Sequence, residues 1–234
     1  MLGEAVIGSV GSAAALMAYA VRAPSSSVFG PSVYRGYPGR RTIALTFDDG
    51  PSESTPEILS VLSSFNVKAT FFQCGANVRR LPEIAREVLA REHSIGNHTE
   101  THPNLCFHSP NRVKKEFAQA QVTIEDTLQY SPRLMRAPFG VRWFGFREAQ
   151  QRLDLLGVMW TVIGNDWKLG SLDIAARLRQ GAVNGAIFCL HDGNELRSVH
   201  QNYATAGALR LIIPELRDRG FEFETVDRIL CPKN

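Results

Sequence analysis

Two adjacent carboxylates, Asp48 and Asp49, end a short apolar run from Thr42 to Phe47 and are followed at once by Gly50-Pro51. Like charges this close repel unless a cation or a proton shares the site. Downstream, His98 and His102 stand four residues apart in Asn97-His98-Thr99-Glu100-Thr101-His102-Pro103. Two imidazoles with one carboxylate, from either Asp48 or Asp49, form a donor set that suits zinc with a position left open for water. The same set serves non-haem iron(II), so donor type alone does not fix the metal. Three more polar clusters follow: Arg136-Ala137-Pro138-Phe139-Gly140, Gly164-Asn165-Asp166-Trp167 and His191-Asp192-Gly193. Each cluster has a plainer reading beside the chemical one. Asp-Gly and Gly-Pro are ordinary turn dipeptides, and an isolated Trp is most often core. His93, His108 and His200 lack comparable company and read as core or surface residues.

The elements that must carry these clusters alternate along the chain. Short apolar runs bounded by turn residues predict strands over 42–47, 69–72, 94–97, 134–135, 158–163, 186–190 and 221–223. Segments of helical periodicity lie between them, over 55–65, 81–91, 113–128, 146–156, 172–179 and 204–219. This alternation is the pattern of βα units around a parallel sheet. It predicts an α/β fold, a distorted (β/α) barrel with about seven parallel strands, with an open doubly wound sheet as the second choice. Either architecture puts chemistry at the C-terminal ends of the strands. The polar clusters fall at those ends.

Composition narrows the remaining classes. With 44% hydrophobic and 21% charged residues the chain can bury an ordinary globular core. A net charge of +3 and no block of Lys or Arg among aromatics speak against nucleic-acid binding. Cys74, Cys106, Cys189 and Cys231 show no metal-knuckle spacing and read as free thiols. Residues 5–20 are apolar, and Ala18-Tyr19-Ala20 fits a leader-cleavage site, although Glu4 is the wrong sign for a leader's first residues. The run is short for a membrane span. Residues 1–22 therefore read as a signal or anchor and 23–39 as a linker. Export or attachment to the cell envelope through the N-terminus is the expectation, a cytoplasmic location the alternative.

Taken together, Thr46-Phe47-Asp48-Asp49-Gly50-Pro51, His98-Thr99-x-x-His102-Pro103, Arg136-x-Pro138-x-Gly140, Asp166-Trp167 and His191-Asp192 resemble the five motifs of the polysaccharide deacetylases. This is carbohydrate esterase family 4, with the NodB homology domain. The resemblance covers about residues 34–226 and makes 40–234 the catalytic domain. It implies that Asp49, His98 and His102 bind one divalent metal, zinc or alternatively cobalt. Asp48 would be the general base toward water and His191 the general acid, with Asp166 pairing His191 and Arg136 orienting the base. The backbone N–H of Phe139 would stabilise the oxyanion, and Trp167 and Cys189 would line the acetyl pocket.

Three positions depart from the family pattern. Phe139 stands where Tyr is frequent, Ile163 where an Asp usually begins the fourth motif, and Cys189 where Leu is usual. The Ile163 departure implies that Arg136 is held less firmly, and Cys189 implies a slightly wider acetyl pocket. The implied activity is removal of N-acetyl groups from N-acetylglucosamine polymers, chitooligosaccharide or peptidoglycan, by a chain that is a monomer by default. The alternatives are O-deacetylation of acetylated xylan, hydrolysis of a small amide, or an inactive sugar-binding module.

Overall fold

The computed structural model describes residues 14–196 and 203–231. The start of the apolar N-terminal run, residues 5–13, and His200 lie outside the described residues. Helix α1 spans 14–22 and leads to strand β1 (Ser32–Val33). The chain then runs through β2 (Thr42–Asp48), α2 (Thr55–Ser64), β3 (Thr70–Gln73), α3 (Gly75–Arg80), α4 (Pro82–Ala90) and β4 (Ser94–Asn97). After α5 (Pro110–Leu128) come β5 (Leu134–Met135), α6 (Phe146–Leu153), β6 (Leu156–Val158) and β7 (Val162–Ile163). The last elements are α7 (Ser171–Gln180), β8 (Ala186–His191), α8 (Tyr203–Asp218), β9 (Glu222–Phe223) and α9 (Val226–Ile229).

The strands form one parallel sheet in the order β1-β6-β5-β4-β3-β2-β8-β7, with β9 pairing β2. The sheet curls into a half-barrel with helices around it, the architecture the alternating pattern predicts. Its central strand is β2, and side-chain alternation on β2 sorts the core. Ile43, Leu45 and Phe47 join Phe71, Phe188 and the buried faces of α2, α7 and α8 in the large outer core. Phe47 stacks on Phe71 with centroids 4.9 Å apart. Ala44 belongs instead to a smaller cluster with Phe72, Ile187, Val226 and Ile229. Each large apolar side chain buried this way contributes about 1.5–3 kcal/mol, so the register of β2 is firmly fixed. Asp48 shares the Ala44 face, two pleats on.

Register also explains why the polar clusters meet. Asp48 pairs with His191 on β8 and with Phe72 on β3. Gln73 pairs with Asn97, and Asn97 with Met135. The strands therefore end level with one another, and the residues just beyond them share one rim.

The single strand expected over 158–163 is two strands. β6 pairs β5 and β1 at one edge of the sheet, while β7 pairs β8 at the other. Met159-Trp160-Thr161 crosses the gap between the edges. Met159 N–H donates to Val33 O at 2.7 Å, and Thr161 N–H donates to Ile187 O at 2.9 Å. An apolar run cannot reveal such a switch, because both halves are strand-like.

The end of the segment expected as a signal or anchor and the start of the expected linker are both tied to the barrel. Ala20, Val21 and Phe29 pack against Val141, with Trp143 and Cys106 alongside. The buried guanidinium of Arg142 donates to the carbonyls of Ala23 and Ser26. No helix among the described residues is long and apolar enough to cross a membrane. The four cysteines are unpaired.

Candidate active site

His98 and His102 leave β4 on a loop that the chain's own side chains shape. Asn97 Oδ1 accepts from Thr99 N–H at 3.0 Å, and Thr99 Oγ1 accepts from His102 N–H at 3.1 Å. The amides of Gly75 and Ala76 bind the Thr99 and Glu100 carbonyls at 3.0 Å, which moors the loop on α3. A Cβ on Gly75 would run into the Glu100 side chain, so this close approach needs glycine. The result is a buried trio: Asp49 Oδ1 lies 3.3 Å from His98 Nε2 and 3.0 Å from His102 Nε2.

The donor set fits a divalent cation. One ligand atom from each of Asp49, His98 and His102 lies within 4.8 Å of the others. His98 Nδ1 meets the Arg136 carbonyl at 2.9 Å. A carbonyl only accepts, so this bond places the proton on Nδ1 and leaves the Nε2 lone pair facing Asp49. Burial works to raise the Asp49 carboxyl, but the neighbouring His102 and His98 outweigh it and hold the group well below the usual carboxylate range. Asp49 therefore offers an anion to the site. Its position is set from outside the motif, since Asn77 Nδ2 donates to its carbonyl at 2.7 Å and Glu195 N–H to its Oδ2 at 3.0 Å.

Asp48 is turned the other way and clamped. Its Oδ1 accepts from Arg136 Nη1 at 2.6 Å, and its Oδ2 lies 3.5 Å from Cys189 Sγ. Arg136 is completely buried. Its Nη1 also donates to Thr46 Oγ1 at 2.7 Å, its Nε to Val158 O at 3.2 Å and its Nη2 to Met159 O at 3.3 Å. Its guanidinium carbon sits 4.0 Å from the Phe72 ring centroid. Beside the expectation that Ile163 leaves Arg136 held less firmly stand four hydrogen bonds from its guanidinium. Carbonyls of the β6–β7 crossing and an aromatic face hold the guanidinium without a carboxylate at 163.

On the next strand, His191 Nδ1 meets Asp166 Oδ1 at 2.8 Å, while its backbone N–H donates to Asp166 Oδ2 at 2.8 Å. Thr205 Oγ1, from α8, donates to the same Oδ2 at 2.6 Å. Burial alone would push the His191 imidazole down, but the Asp166 carboxylate beside it prevails and raises it from 6.5 to about 10. The ring is held in its protonated form, with Trp167 edge-on at 5.2 Å.

These groups line one cavity of about 530 Å³, walled by Phe139, Trp160, Ile163, Trp167 and Cys189. Every sequence-predicted site residue except Arg136 and Asp166, which stand behind Asp48 and His191, reaches its wall. Asp49, Thr99, His102, Phe139, Asn165 and Glu195 all adopt positive φ, between 54° and 75°. Each such non-glycine residue costs about 1–3 kcal/mol, and their concentration around one cavity marks a site whose shape is enforced.

Sequence reading missed several supports. Asn77, Thr205 and Glu195 reach the site from α3, α8 and the loop after β8, with no local signal of their own. Asp192 was read only as the tail of a motif. It is fully buried behind the Asp48–Asp49 turn, where its Oδ2 accepts from Thr55 Oγ1 at 2.6 Å. Burial, with Asp49 and Asp48 nearby, pushes its carboxyl up to about 7.

A family model described as polysaccharide deacetylase matches residues 35–158. The chitooligosaccharide deacetylase of Bradyrhizobium sp. is 37% identical over 205 residues, covering 84% of this chain and 94% of the relative. The peptidoglycan-N-acetylglucosamine deacetylase PgdA of Listeria monocytogenes is 35% identical over 210 residues. That match takes in 89% of this chain but 42% of PgdA, so the chain spans less than half of that relative. Among solved structures, the Bc1960 peptidoglycan N-acetylglucosamine deacetylase superposes with a TM-score of 0.79 at 29% identity, over 84% of this chain and 91% of that one. BA3943 of Bacillus anthracis, described as a pseudoenzyme of carbohydrate esterase family 4, scores 0.78 at 26% identity, over 86% and 69%. A shared fold therefore does not by itself carry activity, and the residues in the cavity must. The five motifs, the half-barrel that brings them to one rim and the extent of these matches lead to one conclusion: the chain belongs to the polysaccharide deacetylase family.

Proposed function

We propose that this protein is a metal-dependent hydrolase that removes N-acetyl groups from polymers containing N-acetylglucosamine, peptidoglycan or chitooligosaccharide, acting at the cell envelope. The observation that carries the reading is the pairing across β2 and β8. A buried carboxylate clamped by an arginine, Asp48, faces a histidine kept protonated by an aspartate, His191, beside an Asp-His-His donor set. The names of the similar proteins above support the choice of substrate.

Asp49, His98 and His102 would hold the metal, zinc or cobalt, which when bound acts as a Lewis acid and makes water a nucleophile near neutral pH. Asp48 accepts the proton of the attacking water through the oxygen that Arg136 leaves free. Arg136 fixes the carboxylate's orientation through its 2.6 Å bond to Oδ1. As the acetyl carbon becomes tetrahedral, the Phe139 N–H is offered to the developing oxyanion; donors of this kind are worth about 10²–10³ in rate. His191 gives its Nε2 proton to the departing nitrogen, so the C–N bond breaks to acetate and a free amine. Asp166 holds the other ring nitrogen and so sets which nitrogen faces the substrate. Trp167 and Cys189 wall the acetyl methyl, and the exposed Phe139 and Trp167 rings offer faces to the sugars.

The test is acetate release from N-acetylglucosamine oligomers, peptidoglycan and acetylated xylan after metal is stripped and zinc or cobalt restored, with Asp48→Asn alongside. Metal-dependent acetate from the amino-sugar polymers, lost in the variant, is the expected result. Tight metal binding without acetate from any amino-sugar polymer would sink the proposal.

A further inference from the structure

The N-terminal helix delivers a positive charge to the cavity. Arg22 closes α1 and lines the cavity wall, where its Nη2 reaches the carbonyl of Phe139 at 3.5 Å. Its backbone is not free to drift. Ala20 and Val21 are buried against Phe29 and Val141, Arg142 N–H donates to Val21 O at 3.1 Å, and the Arg142 guanidinium grips the carbonyls of Ala23 and Ser26.

Among the described residues Arg22 is the only Lys or Arg that lines the cavity, and it forms no ion pair there. Elsewhere in the cavity the formal charge is negative or on histidine: Asp48, Asp49 and Glu195 against His98, His102 and His191. Asp49 is committed to its two histidines and Asp48 to Arg136. An incoming anionic group is thus repelled by Glu195 and attracted by Arg22. The cavity discriminates by charge as well as by shape.

We infer that Arg22 is a specificity-determining residue that selects amino-sugar polymers bearing a carboxylate near the scissile acetamido group over neutral ones. The guanidinium binds a carboxylate through two parallel N–H···O bonds, with the aromatic rings of Phe139 and Trp167 leaving the sugar plane free to stack. The inference rests on the deacetylase reading for the reaction but not for the binding. It fixes an orientation, since the carboxylate-bearing residue must lie on the α1 side of the cavity and away from Glu195.

The experiment compares two forms of one glycan, a strand of N-acetylglucosamine alternating with its lactyl ether, with its carboxylates free or converted to methylamides. Amidation removes the negative charge and leaves the glycan backbone unchanged. Affinity and kcat/KM are measured on both for the full metal-loaded chain, for Arg22→Gln and for Arg22→Lys. The expected ratio of free acid to methylamide is about tenfold in the parent, near one in Arg22→Gln and intermediate in Arg22→Lys, and it shrinks as salt is raised. An exposed position makes both variants compatible with folding. A ratio unchanged by Arg22→Gln, or a parent that prefers the methylamide, overturns the assignment. If the affinity ratio behaves as expected while no acetate appears, the assignment of Arg22 stands and the proposed reaction falls.

Discussion

Replacing Arg136 by Met tests the clamp on Asp48. The side chain is fully buried and donates to Asp48, Thr46, Val158 and Met159. Its bond to the carboxylate is charge-assisted, worth about 1.5–3 kcal/mol, and each of the other acceptors left unpaired adds about 1 kcal/mol. Removing one partner of a buried ion pair costs about 3–5 kcal/mol in general, which overlaps the lower end of that sum and is the range used here. A domain of this size loses about 2–4 °C of Tm per kcal/mol, so metal-free Arg136→Met should melt about 6–20 °C below the parent. Scanning calorimetry reads this directly. Adding Asp48→Asn to the same chain should recover part of the loss, because the charge stranded by Arg136→Met is then gone. A drop below about 3 °C, or a loss that Asp48→Asn leaves undiminished, would refute the clamp.

Two further outcomes follow from other parts of the structure. His93 is buried, accepts the Ala69 N–H at 3.1 Å, and is pushed down to about 4, first by burial and then by the charges of Lys68 and Arg91. The unfolded chain takes up this proton near 6.5, so stability from His93 is whole above that pH and is lost as pH falls toward 4. Urea unfolding should show the parent's stability relative to His93→Gln falling by about 2.5 kcal/mol between about pH 7.5 and about pH 4.5, the difference removing the other groups that titrate over the same range. At Gly193 a Cβ would lie 2.7 Å from the carbonyl carbon and oxygen of Asp49, backbone atoms that must then move. Gly193→Ala should weaken zinc binding about tenfold or more, and an unaltered affinity in calorimetric titration would count against this packing argument.

The parts of the site legible in the sequence share one property. Asp48, Asp49, His98, Arg136 and His191 directly follow or end apolar strands, with His102 one short loop beyond, so their polarity stands out where a strand stops. What held them was not legible in the same way. Arg136 is gripped by backbone carbonyls of Val158 and Met159, and a carbonyl has no sequence signature. Thr205 reaches Asp166 across 39 residues of sequence, from an otherwise ordinary amphipathic helix. The break within 158–163 was hidden because β-branched and aromatic residues serve an edge strand and a central strand alike. Arg22 fell in a stretch whose composition suggested a leader, and only its docking against Val141 brings it to the cavity.

The crossing at Met159-Trp160-Thr161 also limits how the cavity can adapt. It stitches the two edges of the sheet together, and the Met159 carbonyl that forms part of the stitch also holds the guanidinium behind the base. A bulkier ligand that spread the mouth of the barrel would pull that carbonyl away and slacken Asp48 in the same movement. Aperture and chemistry thus share one fastening, and the pocket cannot widen for a new ligand without disarming itself. Divergence toward other substrates is left to the surrounding loops and to the helix that carries Arg22, which can change while the stitched seam stays shut.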